Sequence, residues 1–123
     1  MNISKRLLWL KPYLQFACQE YNIKKPISIR AFTPRWDKTQ DSLASVAKTT
    51  KNNYRISIQL YYKENNGDLI VLPELMVLDS LAHELAHIKN WSHNSEWKKL
   101  YKQMYKDFKG LYRKSKHGSL VHA

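Results

Sequence analysis

Two histidines four residues apart with a glutamate between them, His83-Glu84-Leu85-Ala86-His87, are the residues of this chain best suited to chemistry. On a helix, residues four apart lie one turn above each other on one face, so both imidazoles can address a single cation. Zinc held by three protein ligands with one position open acidifies a water to a pKa of about 7 and so becomes a hydrolytic centre. Glu84 lies beside the histidine face, where it can accept that water's proton and pass it to a leaving amine. The chemistry is therefore hydrolysis on one Zn2+, with His83 and His87 as ligands and Glu84 as general base.

The third ligand has to come from elsewhere in the chain. His93 lies six residues after His87, too far to share a straight helix face, so the chain must leave the helix and turn back. Asn90 stands where a left-handed residue would end the helix, and Ser92 with the pair Asn94-Ser95 supplies turn and capping chemistry. His93 is the expected third ligand and Glu96 the reserve. The competing reading of His93 is a surface residue before the last helix. For the pair itself, it is two exposed histidines with an incidental glutamate. His117 and His122 read as solvated tail residues.

These residues need elements to hold them. From Pro73 to about Lys89 the pattern is helical, with Leu78, Leu81, Leu85 and Ile88 on one stripe. Pro73 suits the first helical position, and Glu74 complements the positive end of the helix dipole. A last helix begins at about Ser95, with Trp97, Leu100, Tyr101, Met104, Phe108 and Leu111 facing one way, and Gly110 is expected to fray or end it. Leu7, Leu10, Leu14, Ala17 and Tyr21 give a first helix over roughly 4–22, either kinked at Pro12 or beginning near Lys11. Ile27, Ile29 and Ala31 alternate as a strand; 43–50 is a second and 54–60 the clearest. Asn52-Asn53 and Asn65-Asn66-Gly67-Asp68 read as turns. Strand 54–61 is the candidate edge along which an extended peptide could pair. No residue is singled out as a transition-state stabiliser.

Composition limits the possibilities. A chain of 123 residues, 43% hydrophobic, suits one domain. Its single cysteine, Cys18, permits no internal disulfide and reads as a small core residue in an intracellular protein. No stretch is long enough to span a bilayer, so no membrane partner is expected. The formal charge of +11 predicts attraction to polyanions.

The stretch from Leu72 to Trp97, LPELMVLDSLAHELAHIKNWSHNSEW, resembles the active-site region of the SprT-like and WLM metallopeptidases, which include Spartan-type and YgjP-like proteins. His83, Glu84, His87 and His93 match that pattern, and Trp97 matches the aromatic residue that leads the following helix. Lys98 departs from it, standing where members often carry a second aromatic. Metzincins share the histidine spacing but usually have glycine where Asn90 stands. The resemblance implies an α+β fold with a minimal zincin-like core. That core has an N-terminal helix, a small three-stranded, mostly antiparallel sheet, the active-site helix and a C-terminal helix. It covers residues 1–112 as a metallopeptidase domain; the basic segment 113–123 has little to bury and is expected to be a mobile tail. Members cleave proteins bound or crosslinked to DNA, and DNA activates some of them.

Between Lys98 and Lys116 there are eight basic residues and one acid, Asp107. Lys98, Lys99, Lys102, Lys106, Lys109, Arg113, Lys114 and Lys116 form the candidate nucleic-acid contact, against a plain solvated face. Trp36, beside Arg35, could stack on a base or line a cleft. Trp91 and Trp97 are expected to pack around the metal helix. The leading reading is a monomeric intracellular zinc endopeptidase acting on protein near DNA, single-stranded or structured. The alternative is a nucleic-acid-binding module whose metal site is structural or degenerate. A third reading is a regulatory peptidase with one dedicated partner protein.

Overall fold

Pro12 decides how the first segment folds. In the computed structural model, which describes residues 2–32, 44–49, 53–64 and 66–122, Lys5–Leu10 is a 3-10 helix. The α-helix begins afterwards, with proline in its first turn, where its missing N–H leaves no bond unmade (α1, Lys11–Glu20). Leu7, Leu10, Tyr13, Leu14 and Ala17 are buried from these two pieces, together with Cys18. Asn22 ends α1 in the left-handed region, φ 52°, and the Ile23 N–H bonds back to the Cys18 carbonyl at 3.1 Å.

A four-stranded sheet follows, built from β1 (Asn2–Ile3), β2 (Ser28–Phe32), β3 (Ala44–Lys48) and β4 (Tyr54–Gln59). Their order is β1-β2-β4-β3. β1 and β4 both run parallel to β2, while β3 runs antiparallel to β4 with Val46 opposite Ile56. The mostly antiparallel three-stranded sheet expected from the sequence is thus corrected to a mixed one. Alternation fixes which face a strand buries, here Ile56 and Ile58, but carries no information on the direction of its neighbours. The same order overturns β4 as an edge. It lies between β2 and β3, and the edges among the described residues are β1 and β3.

A separate hairpin pairs β5 (Tyr61–Lys63) with β6 (Leu69–Val71). Of the expected turn, Asn65 lies outside the described residues; Gly67 takes φ 92°, and the Asn66 side chain accepts from the Asp68 N–H at 3.0 Å.

Two helices complete the molecule, α2 (Glu74–Lys89) and α3 (Ser95–His122). Pro73 stands just ahead of α2 as its cap residue, one place earlier than expected. Val77, Leu78, Leu81, Ala82 and Leu85 of α2 are buried in the core, to which α3 adds Trp97, Met104 and Phe108. Phe108 meets Tyr13 edge to face, centroids 5.6 Å apart, and ties α3 to α1. α3 runs on past Gly110 into the segment expected to be a tail. One isolated glycine costs a helix about 1 kcal/mol against alanine, and no proline follows to stop it. No helix among the described residues is long and apolar enough to cross a membrane. Trp36 and its loop, Asn52 and the side chains of Lys116, His117 and His122 lie outside the described residues.

Candidate metal centre

α2 carries His83 and His87 on one face, and the turn at 90–94 brings His93 back over it. The three imidazoles converge: one nitrogen from each lies within 4.8 Å of the others. His87 Nε2 and His93 Nε2 face each other at 2.9 Å. His87 is buried, His83 half-buried and His93 exposed, so the site opens to solvent on the His93 side.

The outer nitrogens explain why the inner ones can be donors. His87 Nδ1 lies 3.3 Å from the Asn90 carbonyl oxygen, which can only accept, so the ring's proton belongs on Nδ1 and its lone pair on Nε2. His83 Nδ1 lies 3.1 Å from Glu84 Oε1, which sets the same tautomer there. Burial pushes the His87 imidazole below its ordinary pKa, with His83 and His93 adding to the effect. The Asn90 bond and Glu84 pull the other way. A neutral imidazole is what a metal requires. Three converging histidines with one side open are a donor set that fits zinc.

Asn90 organises the turn differently from the sequence expectation. It is extended, φ −137° and ψ 95°, not left-handed. Its N–H still closes α2 onto the Ala86 carbonyl at 2.9 Å, while its side chain accepts from Asn94 and donates to Glu96. Asn94 then caps α3 by accepting from the Trp97 N–H at 2.9 Å. Glu96, the reserve ligand, is exposed and is not among the converging donors.

Trp97 is buried against all three imidazoles. Its ring centroid lies 4.8 Å from that of His83, 4.8 Å from His87 and 4.6 Å from His93. One turn on, Tyr101 packs its ring against His83 at 5.3 Å and donates its hydroxyl to Asp79. Burial and that bond hold the phenol well above its ordinary range. The sequence places Tyr101 on the apolar face of the last helix but marks neither it nor Asp79 as a residue of the site. Their signal was spacing, Asp79 four before His83 and Tyr101 four after Trp97. Trp91 departs from expectation: it is 57% exposed, at the rim of the site, with its ring 6.2 Å from that of Tyr54.

Glu84 is 5% exposed, its carboxylate in the cleft with the histidines. That cleft, about 290 Å³, is closed on its other side by Ala44, Ser45 and Val46 of β3. A second concavity of about 710 Å³ runs along α3 and is lined by Lys102, Lys106, Lys109 and Arg113 with Tyr101 and Tyr105. Lys109 sits 4.8 Å above the Tyr105 ring. Lys98, Lys99 and Lys114 are exposed outside that lining.

No family model and no curated protein sequence matches this chain. Among solved structures it is similar to a mutant form of Wss1 from S. pombe. Identity is 17%, over 85% of this chain and 91% of that one, with a TM-score of 0.47. A likeness of that size settles nothing about this site, whose reading rests on its own geometry. Among the described residues the chain is a mixed α/β protein with three α-helices and a small mixed sheet, and His83, His87 and His93 could hold a metal ion.

Proposed function

We propose that this chain is a zinc-dependent endopeptidase of the SprT-like and WLM type that its sequence resembles. One observation carries the reading. Three imidazole nitrogens converge beside a buried carboxylate, in a cleft bounded by an edge strand of a sheet. His83, His87 and His93 would hold one zinc ion, which when bound supplies a Lewis acid for the scissile carbonyl and acidifies the attacking water. Glu84, buried beside the histidines, would serve as the general base that moves a proton from the attacking water to the leaving amine. β3 lends its outer N–H and C=O groups to an extended substrate, holding the peptide bond across the cleft.

Metal analysis of freshly purified protein tests the centre. About one zinc per chain is expected, lost in His83→Ala and His87→Ala. Wild type without zinc sinks the proposal. Glu84→Gln should keep the zinc and lose cleavage of casein or histone by about 10²–10⁴-fold. Undiminished cleavage by that variant removes Glu84 as the base.

The substrate proposed is protein associated with or crosslinked to DNA, supported by the charge of +11 and by the basic concavity on α3. That concavity also supports the second reading, a nucleic-acid-binding module with a structural or degenerate metal site. It predicts DNA binding indifferent to chelators and no proteolysis with or without DNA. A cleavage assay on DNA-bound basic proteins, with and without single-stranded DNA and zinc, separates the two.

A further inference from the structure

The cleft beside the histidines is unlike the rest of the surface. In a chain with a formal charge of +11, no lysine or arginine lines it among the described residues, and Glu84 is its only acid. The remaining lining is Ala44, Ser45 and Val46 along β3 and the indole of Trp91. Trp91 is anchored by its ring contact with Tyr54 yet stays 57% exposed, so a broad aromatic surface is left against water at the mouth of the site. Water on an indole is the unfavourable state, and an apolar group placed there relieves it.

Resting on the peptidase reading, we infer that Trp91, with Val46, forms the subsite for one substrate side chain beside the scissile bond, and that this side chain is aromatic or large and aliphatic. Three residues in sequence, Ala44 to Val46, border the cleft, so a peptide paired along β3 runs past the histidines and in front of Trp91. At about 290 Å³ the space is at the small end for a ligand pocket and suits a side chain or two. A lysine, arginine or carboxylate entering it would lose water and find no opposite charge beyond Glu84 and the histidines. A small side chain would leave the indole wet. A basic DNA-associated protein would accordingly be cut beside its apolar residues and not beside its lysines and arginines.

The test measures binding and cleavage separately. Zinc-loaded Glu84→Gln protein is titrated with capped pentapeptides that differ only at the central residue, Phe, Leu, Ala, Lys or Asp. The same set is offered to Glu84→Gln/Trp91→Ala, and wild type is profiled on a random peptide library by mass spectrometry. Phe and Leu peptides should bind tightest, and the preference over Ala should fall about 10–100-fold in the double variant. Trp91→Phe should retain most of it. Trp91 is mostly exposed, so its replacement does not threaten folding. A library profile with no apolar preference, or one that survives Trp91→Ala, overturns the subsite while cleavage itself upholds the peptidase reading. An apolar binding preference without cleavage by wild type upholds Trp91 as an apolar side-chain site, overturns the peptidase and with it the place of that site beside a scissile bond. Neither preference nor cleavage overturns both.

Discussion

The indole of Trp97 stacks on the imidazole of His87, ring centroids 4.8 Å apart and planes 18° from parallel. The same ring meets His83 and His93 edge to face, so one side chain from α3 fixes the orientation of three from α2 and the turn. Groups that orient ligands without touching the metal commonly affect affinity by about 10–100-fold. Trp97→Ala should weaken zinc binding by that factor in a chelator competition. It should also cost about 3–5 kcal/mol of stability in denaturant, because the ring is buried. Trp97→Phe should restore most of the zinc affinity. Equal affinity in wild type and Trp97→Ala would show that the imidazoles need no such support.

Much of this centre was legible because its determinants are local. A spacing of four on a helix places His83 and His87 together whatever else the chain does, and Glu84 follows from that placement. His93 was legible through its turn residues, although by a different route: Asn90 is extended, and the left-handed helix end lies at Asn22. What depends on distant partners was not legible. Alternation located the strand at Tyr54–Gln59 but not its inner position or its parallel neighbour β2. β5 and β6 are three residues each, too short for alternation to register. Trp91 sits in a turn, where no periodicity says which way a side chain faces.

The turn that returns His93 depends on the cap of α3. Asn94 accepts from the Trp97 N–H and also donates to Asn90, so one side chain joins both ends of the turn. Asn94→Ala should destabilise the protein by about 1 kcal/mol in urea, and Asn94→Asp should recover the cap but not the donation to Asn90. Zinc affinity should fall more in the alanine variant than in the aspartate one. Affinity indifferent to both would mean that His93 is held by its ring contacts alone.

His87 supplies a pH dependence whose sign is fixed by its burial. Its imidazole in the metal-free fold is pushed below the ordinary value of 6.5, so the folded chain resists a proton that the unfolded chain accepts. Above 6.5 both states are neutral and this group contributes no slope. As pH falls below 6.5 toward the lowered folded value, the unfolded state binds more protons and the metal-free protein loses stability. NMR titration of chelator-treated protein should place His87 below 6.5, with melting temperature declining through the same window. A value at or above 6.5 would contradict the burial argument.

The basic residues of α3 divide by position. Lys102, Lys106, Lys109 and Arg113 recur at steps of four, three and four, which places them on one stripe about 16 Å long. Lys98 and Lys99 lie on the same helix outside that concavity. If single-stranded DNA binds along the stripe through those four cations, log K should fall with log salt at a slope of about −3. Lys102→Ala/Lys106→Ala should reduce the magnitude of that slope by about 1.4, while Lys98→Ala/Lys99→Ala should leave it near the wild-type value. Fluorescence anisotropy with a labelled oligonucleotide across a salt series reads both. Equal losses from the two pairs would mean diffuse attraction to a +11 chain, and a salt-independent affinity would exclude the phosphate backbone as what this stripe holds.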